Sequence, residues 1–141
     1  MNRAGQFVTK VVAVGARPEN GRKLLNPTWQ EVEDLLRRIP EGTFSRIDLF
    51  SSDESSAMTV YGESSAFSVV ISVQESTYHY YWSGREPCGE LREIAGHFFD
   101  AEKVCEDLDT ILDIARQFWQ DGRQLKSVRW VSEGGSKLGR S

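Results

Sequence analysis

Four side chains in this 141-residue sequence could hold a metal or pair as a nucleophile with its base: His79, His97, Cys88 and Cys105. No two of them stand at the short spacing of a zinc-ligand pair. Neither cysteine is flanked by the residues of a nucleophile elbow or a helix start, the settings that make a thiolate reactive. Cys105, beside an apolar helical stretch, reads as a small core residue. The carboxylate pairs Asp53-Glu54 and Glu106-Asp107 are adjacent, so in extended chain their side chains point to opposite faces. The first reads as a solvated loop tip and the second as a helix cap. Gly84, Gly89 and Gly96 are isolated turn residues and no phosphate-binding loop is formed. The sequence is therefore read as that of a non-enzyme, with no cofactor and no metal.

Residues suited to recognition are better represented. In 77–82 the side chains of Tyr78, Tyr80 and Trp82 share one face of an extended strand, and His79 and Tyr81 share the other. Its plain role is an amphipathic strand whose tyrosine hydroxyls reach water. Its functional role is a protein-binding surface, because Tyr and Trp offer large contact area at low entropic cost. Acids in the surrounding loops, Asp53, Glu54, Glu63, Glu75 and Glu86, would complement a basic partner. A protein that acts on nucleic acid needs a basic groove for phosphates, and such acids could steer toward that groove and fill it. The candidate partner-binding set is thus Asp53, Glu54, Glu63, Glu75, Tyr78, Tyr80, Tyr81, Trp82 and Glu86.

These residues need a frame to hold them. The chain suits one domain with one core, residues 1–132, followed by a small, polar, flexible tail at 133–141. A formal charge of −4 argues against a general nucleic-acid or anionic-membrane binder. No apolar run reaches the ~20 residues of a membrane span, and the first residues lack the apolar core of a signal peptide. A cytoplasmic protein with both cysteines reduced is expected.

The most completely specified element is a helix at 26–39. Thr28 and Glu31 have capping-box spacing. Trp29, Val32, Leu35, Leu36 and Ile39 fall on one face of a 3.6-residue period, acids come early and arginines late, and Pro40 and Gly42 stop it. Strands are expected at 7–14, 46–50, 58–62, 67–74, 77–82 and 90–94, with another running through Leu125, Val128 and Trp130. Residues 16–25 read as a loop and 96–100 as a turn. A second helix starts at Asp107, carries Leu108, Ile111, Leu112, Ala115, Phe118 and Trp119 as a stripe, and ends at Gly122. The fold class is α+β: a mostly antiparallel sheet of about five to seven strands packed by two main amphipathic helices.

Two stretches carry a resemblance. Asn26-Pro27-Thr28-Trp29 with Val32 and Leu35-Leu36 resembles the opening helix of immunity protein family one of the bacterial polymorphic-toxin systems. Gly96, Phe98 and Val104, then Asp107-Leu108 with Ala115, Phe118 and Gly122, and Trp130 beyond, resemble the C-terminal part of that family. The likeness spans about 26–130. It departs at Phe99, where a proline is expected, and in the low glycine content of the middle hairpins. The family includes immunity proteins to nucleic-acid deaminase toxins. The resemblance therefore implies a non-catalytic inhibitor that binds a cognate toxin domain and occludes its active site or substrate path. It implies that the matched positions serve the fold and that contacts lie in the hairpins between the helices. The alternative is an adaptor or small ligand-binding domain unrelated to toxins.

Overall fold

The computed structural model describes residues 6–15, 17–74 and 76–134. Its strands are β1 (Val8–Gly15), β2 (Arg22–Leu25), β3 (Phe44–Ser51), β4 (Ser56–Glu63), β5 (Ala66–Val73), β6 (Thr77–Trp82), β7 (Leu91–Ile94), β8 (His97–Asp100) and β9 (Arg129–Gly134). Helix α1 (Trp29–Arg37) follows β2 and α2 (Leu108–Asp121) precedes β9. Seven strands form one sheet in the order β2-β1-β3-β4-β5-β6-β9, and β7 and β8 form a separate hairpin. Every strand pair is antiparallel. The α+β class and the two helices are as the sequence implies.

Alternation in the strands decides which face takes the helices. Ile47 and Leu49, Met58 and Val60, and Val69 and Ile71 all point to one side and are buried. Against them α1 lays Val32, Leu35 and Leu36, and α2 lays Ile111, Ile114, Ala115 and Phe118. Each of the larger side chains contributes about 1.5–3 kcal/mol by leaving water. The capping box forms as expected: Glu31 N donates to Thr28 Oγ1 at 3.2 Å, and Thr28 N donates to Glu31 Oε1 at 2.9 Å. The helix proper stops at Arg37, two residues short of Ile39. Ile39 is still fully buried, and its methyl would lie 2.5 Å from a Cβ at Gly62, so β4 needs glycine there.

The segment leading into β1 is tied to α2, and α2 to the start of α1. Phe7 N donates to the carbonyls of Trp119 and Gln120 at 3.0 Å, and the Phe7 ring meets Phe118 edge-on at 5.4 Å. Gly122 closes α2 with φ +77°, and a Cβ there would sit 2.8 Å from the Phe7 ring. Trp119 Nε1 donates to Pro27 O at 3.0 Å, pinning α2 to the start of α1. Trp29 is half-buried on that seam, 6.1 Å from the Trp119 ring, and so is not the fully buried core residue its stripe suggests.

Three expectations change. Residues 16–25 are not all loop, because β2 pairs with β1 from Lys10–Leu25 to Ala13–Arg22. Arg-Lys-Leu-Leu has no alternation to announce a strand; the free edge of β1 supplies the partner. The expected turn at 96–100 is strand β8. The actual turn is the two residues Ala95 and Gly96, both at positive φ, which bring Ile94 opposite His97. The sheet also runs to Gly134, two residues into the expected tail, and the remainder of that tail lies outside the described residues.

Candidate partner-binding face

The face of the sheet opposite the helices is only partly covered. The β7–β8 hairpin lies over β4 and β5, where Tyr61 meets His97 at 5.0 Å and Phe99 at 5.2 Å. Ile94, Val104 and Ala66 make a small second core beneath it. A 3-10 turn at Ala101–Lys103 reaches β6, with Ser83 N donating to Glu102 O at 2.8 Å. Elsewhere this face meets solvent, and Val14 on β1 is 43% exposed.

Cross-strand register places the aromatic strand. Tyr80 stands opposite Val70 and Tyr78 opposite Ser72, so Tyr78, Tyr80 and Trp82 look out from this open face. Tyr81 and His79 look to the helix side. Tyr81 packs against the core, so it leaves the contact set. Desolvation, with hydrogen bonding to Cys105, pushes its hydroxyl up to about 12. Burial likewise pushes the Cys105 thiol up, which keeps it protonated and unreactive. Its short extended segment bridges Phe67 of β5, with backbone bonds of 2.8 Å in both directions. His79 Nδ1 lies 2.6 Å from Ser132 Oγ, and burial lowers its pKa.

Four of the outward aromatics are accompanied by a cation. Lys10 Nζ lies 4.8 Å from the Phe50 centroid, the Arg46 guanidinium 5.5 Å from Tyr61, Lys103 Nζ 4.2 Å from Tyr80 and the Arg129 guanidinium 5.7 Å from Trp82. Such pairs hold a ring in place and contribute ~0.5–1 kcal/mol at exposed sites. Arg46 also donates to Asp48 at 3.0 Å, and Thr59 donates to the same carboxylate at 2.6 Å. None of these cations adjoins its ring in sequence, so only the folded chain brings them together.

The loop acids are not gathered into one patch. Asp53 and Glu54 sit in the β3–β4 turn at one end of the sheet, and Glu63 and Glu86 lie toward the other end. Glu75 lies outside the described residues. Asp53 is committed to its turn: Oδ1 accepts from Ser55 N at 3.0 Å, Ser55 Oγ at 2.8 Å and Ser51 Oγ at 3.0 Å. Those bonds, the Ser55 backbone first, lower its pKa. Glu54 pairs with Lys10 at 2.6 Å, and Glu63 accepts from Ala95 N at 2.8 Å, anchoring the hairpin turn. Asp53, Glu54 and Glu63 therefore serve local structure, while Glu86 is exposed.

The carboxylates that do reach the aromatic strand lie outside the candidate set. Asp100, Glu102 and Glu133 line a hollow of about 470 Å³ together with Trp82, Pro87, Lys103 and Val131. Lys103 Nζ bridges Asp100 at 3.4 Å and Glu133 at 3.5 Å. Glu102 Oε1 is buried with no hydrogen-bond partner among the described residues. Trp82 Nε1 donates to Arg85 O at 2.9 Å, fixing the indole as one wall. Three segments far apart in sequence make this hollow, and no local pattern announces it. On the outer side of the hairpin, Phe98 is 67% and Leu91 60% exposed. Phe98, one of the positions matched in the C-terminal resemblance, is thus not held in a core.

No protein-family model matches this chain, and no curated protein matches it in sequence. Among solved structures it is similar to a hypothetical protein from Neisseria gonorrhoeae, with TM-score 0.59 and 15% identity. The likeness covers 89% of this chain and 96% of that one. At that identity what is shared is the fold. Among the described residues no helix is long and apolar enough to cross a membrane.

Proposed function

We propose that this chain is an immunity-type inhibitor, a non-catalytic domain that binds a cognate toxin domain in the cytoplasm and blocks its active site or substrate path. One observation carries the reading: Tyr78, Tyr80 and Trp82 emerge together beside a hollow walled by Trp82 and by the carboxylates of Asp100, Glu102 and Glu133. An aromatic wall next to an unsatisfied carboxylate is a receptor for a lysine or arginine side chain. A toxin that acts on nucleic acid presents such side chains in its phosphate groove. Exposed Phe98 and Leu91 add apolar contact area on the neighbouring hairpin.

The acids in this arrangement differ from those the loops suggested. The chain is co-expressed with a candidate toxin domain sought among the genes beside its own, and complex formation and cell survival are scored. A co-purifying complex and protected cells are expected. Soluble, folded protein that neither binds nor protects would overturn the reading.

A further inference from the structure

The sheet has two edges, and they are finished differently. β2 closes one side with Arg22-Lys23-Leu24-Leu25, which carries two cations and no acid. Charged side chains, lysine above all, are a common protection of an edge strand. β9 closes the other side with Arg129-Trp130-Val131-Ser132-Glu133-Gly134 and has β6 along one edge. Among the described residues no strand or loop backbone pairs with its other edge.

We propose that β9 is a self-association edge, at which a second copy of this chain adds its own β9 antiparallel about a two-fold axis through Val131. The strand is charge-complementary to itself in that register. Arg129 of each copy stands opposite Glu133 of the other, and Val131 stands opposite Val131. All three lie on the open face, since their opposites across β6 are Trp82, Tyr78 and Tyr80. Directly opposed residues have Cβ atoms roughly 4.5–5.5 Å apart, within reach of an ion pair. Arg129 is exposed and has no carboxylate partner among the described residues, its neighbour being the Trp82 ring. Glu133 is held by Lys103 only at 3.5 Å, longer than a good charge-assisted bond, and can accept a second donor. The symmetry makes each ion pair occur twice, as an isologous interface requires. This inference does not rest on the toxin reading, although Val131 and Glu133 also line the hollow assigned to the toxin.

Sedimentation velocity on the full chain across a dilution series tests it, with Arg129→Glu, Glu133→Arg and the double swap as variants. The wild-type chain should show a monomer–dimer equilibrium. Each single variant sets like charges against each other on both sides of the axis and should weaken the dimer by roughly tenfold or more. The double swap restores opposite charges and should recover the dimer. It also leaves an arginine beside Lys103, so recovery in spite of that disturbance isolates the cross-copy pair. Backbone hydrogen exchange on the wild-type chain gives a readout that no variant's folding affects: β9 amides should exchange more slowly as concentration rises. A wild-type chain that stays monomeric, a dimer indifferent to the single variants, or a folded double swap that stays apart would each overturn the proposal. So would β9 amides protected by added toxin and not by concentration, which would assign the edge to the toxin.

Discussion

The helix-packed and open faces of the seven-stranded sheet obey different rules. On the helix side, side chains of one kind repeat at the period of their element and are buried whatever their exact partner, as Val32, Leu35 and Leu36 share one core with Ile47, Val60 and Ile71. On the open side, rings and charges are matched individually, Lys103 with Tyr80 and Arg129 with Trp82, across strands distant in sequence. The first arrangement makes stability and tolerates exchange of like for like. The second leaves large amphipathic side chains at the surface, where a partner can use them.

Substitutions on the two faces should therefore separate stability from binding. Phe118→Ala removes a fully buried ring that also holds Phe7, and should cost about 3–5 kcal/mol in urea unfolding. A loss below about 1 kcal/mol would mean the helix face is not the organising core. Thr28→Ala deletes one half of the capping box and should cost about 0.5–2 kcal/mol, with no effect on toxin affinity once the protein is folded. Lys10→Ala breaks an exposed pair with Glu54 and a ring contact with Phe50, and should change stability by less than about 1 kcal/mol. A larger loss would show that the open face also carries the fold.

The smallest effect is a pH dependence. Burial lowers the folded-state pKa of His79 below its ordinary 6.5, so the unfolded chain binds this proton more readily than the folded one. Its contribution is present above pH 6.5 and is lost as pH falls through that value toward the folded pKa. His79→Gln should therefore lose less stability than wild type between neutral pH and that acidic window, measured by paired thermal melts. Parallel melting curves would show that the ring's desolvation does not matter.

Legibility in the sequence follows the same division. The α+β class, both capped helices and most strands could be read because their signals are local: Thr28 with Glu31, Asp107 as an N-cap donating no side-chain proton but accepting from Asp109 N, Gly122 at the helix end. The faces of 77–82 were legible too, since alternation alone separates Tyr78, Tyr80 and Trp82 from Tyr81. β2 was not, because its four residues depend on β1 for their conformation. β8 was hidden by a turn shorter than expected, only Ala95 and Gly96. The acids of the hollow escaped notice because Asp100 and Glu102 reach Glu133 only after β9 has paired with β6. The loop acids were conspicuous for the opposite reason: Asp53 and Glu54 sit in a turn that uses them locally.

The central proposal is that the open face at β6 and its hollow receive a cognate toxin domain. The most direct measurement is the affinity of the chain and of its Trp82→Ala and Glu102→Gln variants for the proposed cognate toxin domain, sought among the neighbouring genes, by isothermal titration with folding checked by circular dichroism. The account predicts wild-type binding that Trp82→Ala weakens by about 2 kcal/mol or more and that Glu102→Gln weakens as well, with both variants folded. Folded variants that bind as tightly as wild type would contradict it.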